Sequence, residues 1–260
     1  MTVQPTKTPR PERVQLFVTC LVDQFRPEVG ESVVNVLERL NIEVDFPEGQ
    51  TCCGQPAFNS GFRDEASDVA RHFLDVFDAT EGPIIVPSGS CGAMVRNFYE
   101  EMFEDDPAEM ERVRRVGERI YEFTEFLVDV LGQDDLVAEM GAQLEANATY
   151  HQCCHLEREL GVDHQPQQLL GQVKGLEMLP MYRPEVCCGF GGTFAVKFSD
   201  VSTAMLDEKL GKLGGGMKVI EFCKEWLQPE QPLEAPRLLY QSPLLLERET
   251  QLDHVFGQDA

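Results

Sequence analysis

No stretch of this 260-residue chain approaches the roughly 20 apolar residues that a membrane helix requires. Its beginning, MTVQPTKTPRPER, is polar and proline-rich, without the apolar centre of a secretory signal. The expectation is a cytoplasmic protein. Positive charge is scarce, with 22 Lys and Arg against 45 Asp and Glu for a formal net charge of −23. A surface of that sign repels phosphate backbones and anionic lipid, so neither nucleic acid nor a membrane surface is expected as a partner. The glycines do not fall as G-x-G-x-x-G and no lysine completes a Walker pattern, which leaves nucleotide binding without support. No nucleophile-elbow signature supports hydrolytic chemistry. C-x2-C pairs, the usual ligand source of structural zinc sites, are missing as well.

What is abundant is cysteine. Nine cysteines in a chain with no export signal are expected to be reduced thiols, present for metal or redox chemistry. Apolar residues make up 42% of the chain, enough to close a core.

The pattern of apolar residues reads as α/β. VQLFVT (14–19) and PIIVPS (83–88) are compact apolar runs suited to buried strands, and a shorter strand is expected over 42–46. Between them, Val29, Val33, Val36, Leu37 and Leu40 share one helical face, as do Ala66, Val69, Ala70, Phe73, Leu74 and Phe77. Alternation of strand and helix favours small, mostly parallel sheets flanked by helices. Residues 108–131 carry a helical stripe of Met110, Val113, Ile120, Phe123, Leu127 and Val130, which predicts one long amphipathic helix. A new apolar start, ATYHQ, opens a second half at Ala148.

The two halves repeat. TCCGQP at 51–56 and VCCGFG at 186–191 share a CCG tripeptide. Cys20 lies 32 positions before Cys52 and Cys154 lies 33 before Cys187, while Cys53 lies 38 before Cys91 and Cys188 lies 35 before Cys223. This spacing predicts an internal duplication into two lobes, 14–132 and 147–213, followed by a divergent segment, 214–260. The cysteines are expected at strand-to-helix ends, where open α/β sheets place their sites, with their loops facing the interface between the lobes.

Adjacent cysteines suit few roles. A disulfide between neighbours closes a strained ring. An iron–sulfur cluster offers several irons, so neighbouring thiolates can bind different metal atoms, and soft sulfur donors suit iron. The glycine after each pair, Gly54 and Gly189, can take positive φ and let the backbone approach a bulky inorganic core. Two other readings stay open: a thiol–disulfide enzyme working through Cys52 and Cys53 or Cys187 and Cys188, and a zinc-stapled interaction module. Cys153 has no counterpart in the first half and is read as a packed thiol.

SGSCGAMV (88–95), YHQCCHLEREL (150–160) and CCGFGGTFAVKF (187–198) are similar to the signatures of the lactate-utilisation protein A family. That family is related to the B subunit of heterodisulfide reductase and to the iron–sulfur subunit of glycolate oxidase. The resemblance covers residues 14–213. It implies an iron–sulfur electron-transfer subunit that acts with two partner proteins to oxidise L-lactate to pyruvate. It also implies a non-cubane four-iron cluster type, with Cys20, Cys52, Cys53 and Cys91 as one ligand set and Cys154, Cys187, Cys188 and Cys223 as the other. The related B subunits end each set with C-x2-C, whereas here Cys91 is followed by Met94 and Cys223 by Trp226.

Among the remaining polar residues, His155 beside Cys154 is read as a group that hydrogen-bonds or borders the cofactor, and His151 as a packing residue. Arg63, Arg96 and Lys197 lie near the proposed loops and are read as surface charge.

Overall fold

The computed structural model of the chain describes residues 10–132, 140–210 and 218–220. The first lobe is built on a parallel sheet in the order β2-β1-β3-β4, comprising β1 (Arg13–Leu16), β2 (Glu43–Asp45), β3 (Ile84–Val86) and β4 (Ile120–Glu122). The second lobe repeats the first three strands in the order β6-β5-β7, also parallel, with β5 (Gln143–Tyr150), β6 (Lys174–Met178) and β7 (Lys218–Ile220). In each lobe the first strand is central and the next two flank it, which is the topology a duplication produces. The fourth strand of the first lobe has no counterpart among the described residues.

Helices α1 (Cys20–Phe25) and α2 (Pro27–Arg39) connect β1 to β2. Proline at the first position of α2 fits a helix start, because the amide it lacks would have no partner there. α3 (Gln55–Asn59) and α4 (Arg63–Phe77) lead to β3, and the buried face of α4 is Ala66, Ala70, Phe73, Leu74 and Phe77, five of the six residues of its apolar stripe. α5 (Gly89–Ala93) passes through a π-helical turn (Met94–Phe98) into α6 (Tyr99–Met102), and α7 (Pro107–Gly117) precedes β4. The expected long helix over 108–131 is not formed. α7 ends at Gly117, residues 120–122 form β4 against β3, and a short helix α8 (Phe123–Glu125) runs into a second π-helical turn (Phe126–Val130). Gly117 weakens the helix, and the buried Ile120 backbone gains a sheet edge to pair with. Glu122 then restarts the helix. Its carboxylate accepts from the Thr124 and Glu125 amides at 2.7 and 3.3 Å, and the Glu125 carboxylate accepts from the Glu122 amide at 3.1 Å, a reciprocal capping box. The apolar stripe persists through the break, since Val113, Ile120, Phe123 and Leu127 are all buried. The second lobe carries α9 (Cys154–Leu160), α10 (His164–Leu170), α11 (Thr193–Lys197) and α12 (Ser199–Leu210).

Burial raises the Glu122 carboxyl to about 7 against the lowering effect of its donors. Between the ordinary carboxyl value of about 4.3 and 7, the unfolded chain binds fewer protons than the folded one. This group's contribution to stability is therefore full below pH 4 and declines as pH rises toward 7. Urea titrations should show wild type losing on the order of 3 kcal/mol relative to Glu122→Gln between pH 4 and pH 8. Parallel curves for the two chains would contradict the assignment.

One core spans both lobes, joining Val14, Leu16, Ile85 and Phe126 of the first to Leu144, Ala148, Leu169 and Val173 of the second. A second core, holding Phe17, Phe73, Phe77 and Tyr99, lies under the first cysteine cluster. Phe17 meets Phe73 and Phe77 edge-on, with ring centroids 4.9 and 5.6 Å apart. Each such buried ring contributes about 1.5–3 kcal/mol to the stability of the floor beneath the cysteines.

Candidate metal centre

The first-lobe cysteines gather at the ends of three adjacent parallel strands. Cys20 opens α1 after β1, Cys52 and Cys53 lie between β2 and α3, and Cys91 lies in α5 after β3. The Cys20 and Cys52 Sγ atoms are 3.6 Å apart, and Cys53 interacts with both Cys52 and Cys91. Gly54 has φ +85°, and its amide donates to Cys52 Sγ at 3.4 Å. Cys53 is buried, and its carbonyl accepts from the Tyr99 hydroxyl at 2.9 Å. Gln55 Nε2 donates to the Ser90 carbonyl at 3.2 Å, tying the CCG helix to the helix that carries Cys91.

Protons are shared unevenly among these thiols. Donation from Cys20, then from Cys53 and the Gly54 amide, holds Cys52 well below the usual thiol range. Cys20 and Cys53 are pushed up because they donate to Cys52 and are removed from water. Cys91 is lowered, chiefly through Cys53.

The second lobe reproduces this pattern. Cys154 opens α9 after β5, and Cys187 and Cys188 lie between β6 and α11. Gly189 has φ +88°, and its amide donates to Cys187 Sγ at 3.3 Å. The Gly189 carbonyl accepts from the buried Ser202 hydroxyl at 2.8 Å. Cys187 is lowered by donation from Cys154 and Cys188, both of which are raised. Cys223 lies outside the described residues. Cys153 is the half-buried residue before α9.

The two clusters are carried on touching elements. α5, with Cys91, packs on α9, with Cys154, and Leu156 of α9 sits so close over Gly89 that a Cβ there would lie 2.8 Å from the Leu156 Cβ. Asn97 Nδ2 donates to the Glu159 carbonyl at 2.7 Å. Beyond the CCG loops, Ser60 Oγ lies 3.4 Å from Thr193 Oγ1, and Lys197 Nζ donates to Ser60 Oγ at 3.1 Å.

His155 is half-buried at this junction, with its ring centroid 6.5 Å from that of Phe98 in the first lobe, and burial lowers its pKa. His151 is held near the Pro184 carbonyl at 3.3 Å, and burial with the nearby Lys209 lowers it to about 4. Arg96 makes a two-pronged ion pair with Glu125, at 2.9 Å for the shortest contact. Arg63 stacks on Phe58 and pairs with Glu101. Lys209 carried no sequence signal, yet it is buried with its ammonium against the loop that precedes Cys187.

Among the described residues, no three histidine, cysteine, aspartate or glutamate side chains are arranged to hold a metal ion. The first-lobe sulfurs are linked one to the next instead. A sulfur-only donor set of this kind, with a peptide N–H directed at one Sγ in each lobe, fits a multi-iron sulfide group, whose ligands bind separate irons and accept amide hydrogen bonds.

Parallel sheets with a CCG loop and further thiols at their carboxyl ends define a duplicated cysteine-rich domain. The family model described as "CCG: Cysteine-rich domain" matches residues 14–96 and 148–224. Over 198 residues, 76% of this chain, the sequence is 47% identical to "Lactate utilization protein A 2" of Bacillus cereus strain 03BB102, covering 80% of that protein. It is 49% identical to "Lactate utilization protein A" of Bacillus licheniformis, covering 81%, and 46% identical to "Lactate utilization protein A 1" of Bacillus anthracis strain CDC 684, covering 80%. The chain belongs to the cysteine-rich CCG-domain proteins and, within them, to the lactate utilization protein A family. Among the described residues, no helix is long and apolar enough to cross a membrane.

Proposed function

We propose that this chain is an iron–sulfur electron-transfer subunit of a multi-protein system that oxidises L-lactate to pyruvate. The observation that carries the reading is the matched pair of CCG loops, each with a glycine amide donating to the first cysteine of its pair, at 3.4 and 3.3 Å. The relatives' names supply lactate as the substrate of the system.

Cys20, Cys52, Cys53 and Cys91 would hold one group and Cys154, Cys187, Cys188 and Cys223 the other, each of the non-cubane four-iron type. In the sequence Cys223 follows the third strand of its lobe by three residues, as Cys91 follows its own by five. When bound, such a group stores and releases single electrons. The chain's own residues fix its surroundings. Gly54 and Gly189 supply amide donors to sulfur, the buried aromatic floor keeps water from the first site, and the α5–α9 contact keeps the two sites adjacent. The lobes at 14–132 and 147–213 are the units that hold them, the second completed by β7 and Cys223 from the segment after 213, and His155 borders the second site at the junction.

Substrate chemistry falls to two partner proteins in this reading. The anaerobic holoprotein mixed with L-lactate alone should keep its visible spectrum. With both partners present it should bleach by at least tenfold more in the same interval. Bleaching by lactate without partners, or none with them, would contradict the assignment.

A further inference from the structure

We propose that Lys209 is a positioning residue that grips the loop ahead of the second cysteine pair and sets a fixed positive charge beside it, making the second-lobe centre the more easily reduced of the two. This rests on the reading that each lobe holds an iron–sulfur group.

The loop before Cys187 is Arg183–Val186, and every one of its carbonyls meets a cation. Lys209 Nζ donates to the carbonyls of Arg183, Pro184 and Val186 at 3.4, 3.1 and 2.5 Å, and Arg158 Nη2 donates to that of Glu185 at 2.8 Å. Arg183 is held at φ +50°, a backbone state that a side chain disfavours and that the surrounding grip must maintain. Three acceptors on one nitrogen require three N–H donors, which an ammonium has and a neutral amine lacks. Lysine is seldom this buried without a partner. At 8% exposure, Lys209 is satisfied by carbonyl dipoles, and among the described residues none of the hydrogen bonds at its ammonium goes to a carboxylate. Glu185 is the acidic group nearby, and it is paired with Arg183 at 3.6 Å.

The first lobe does the same job chiefly with a side-chain amide. Its loop is fastened by Gln50, whose amide nitrogen donates to the Leu16 and Pro47 carbonyls at 3.0 and 3.1 Å and whose oxygen accepts from the Val18 amide at 2.8 Å. His72 Nε2 donates to the Gly49 carbonyl at 2.8 Å. The duplication aligns the two helices behind the CCG glycines. Val69 of α4 packs under Gly54 as Met205 of α12 packs under Gly189. Four residues on, the first lobe has the fully buried Phe73 and the second has Lys209. A buried ring in one lobe is thus a buried ammonium in the other. The charge lies beside the pair because the ammonium donates to the carbonyl of Val186, the residue before Cys187; burial lowers the Lys209 pKa, while Cys188, Cys154 and Cys187 act to raise it. A reduced centre carries one more negative charge than an oxidised one, so a nearby cation favours reduction, most strongly where water is excluded.

The test is a redox titration of the anaerobic full chain followed by electron paramagnetic resonance, with each lobe's signal identified by its loss in Cys53→Ser or Cys188→Ser. In wild type the second-lobe midpoint should lie above the first. Lys209→Gln, which keeps donors and removes charge, should lower the second midpoint by at least a tenfold change in equilibrium constant, ~59 mV for one electron, and leave the first in place. Lys209→Arg should stay within threefold of wild type. An unchanged second midpoint in Lys209→Gln, an equal shift in both lobes, or a wild-type order with the first lobe higher would overturn the proposal while leaving the iron–sulfur reading standing. A wild-type chain without iron would overturn that reading, and this inference with it.

Discussion

Cys53→Ser is expected to lose the first-lobe resonance and about half of the bound iron while the second-lobe resonance persists, and Cys188→Ser to do the reverse. The two replacements are matched in chemistry, because each removes the second cysteine of a CCG loop. They differ in surroundings: Cys53 is almost fully buried against the Tyr99 floor, whereas Cys188 is half-buried. Serine offers a harder oxygen donor that binds iron less well than thiolate. Each lobe has its own sheet and its own thiols, so loss should stay local, although the helices carrying the two sites touch. Iron and sulfide assays with electron paramagnetic resonance on both variants decide the matter. Loss of both signals in either variant would mean a single centre shared between the lobes, and loss of neither would remove these cysteines from the ligand sets.

The second large effect is expected at Gly189. Its φ of +88° is a state that L side chains avoid, and a Cβ there would meet the Ser202 carbonyl oxygen at 2.6 Å and the Met205 Cβ at 2.9 Å. The first contact is with helix backbone, which cannot rotate away. Left-handed strain costs roughly 1–2 kcal/mol and forced repacking about 1–3 more. At about 2–4 °C per kcal/mol for a chain of this size, Gly189→Ala should melt on the order of 10 °C below wild type. Gly54→Ala shares the strain, with φ +85°, but its Cβ would meet the Ala66 carbonyl oxygen at only 3.3 Å, so its melting point should fall about half as far. Thermal unfolding of both variants checks the order. Equal losses would show that the α12 contact does not constrain the second loop.

The repeat was legible in the sequence because cysteine is rare and its spacing survives divergence. The near-equal intervals from Cys20 to Cys52 and from Cys154 to Cys187 anticipated the duplication, which the two sheets display in the order of their first three strands. Strands β1 and β3 were visible as apolar runs because their residues are shared between the two cores, and helices α2 and α4 as stripes because each buries one side against a single core. The stretch 108–131 misled because Val113, Ile120, Phe123 and Leu127 keep helical spacing while the chain passes through a strand. What decides there is the pairing of Ile120 with Ile84, a partner 36 residues away. Lys209 was invisible for a similar reason. Nothing in the surrounding run DEKLGK marks it, and its partners are carbonyls 23 to 26 residues earlier. Arg96 looked like surface charge and is instead tied to Glu125 at the end of α8.

The central claim is that thiolates brought together at the strand ends of each lobe grip a shared inorganic centre containing iron and sulfide. Quantitation of iron, zinc and acid-labile sulfide in chain purified without oxygen tests it most directly. Iron and sulfide should be found together, in near-equal amounts and in multiples per chain, with visible absorption. Zinc without sulfide, or metal-free protein with freely titrating thiols, would contradict it.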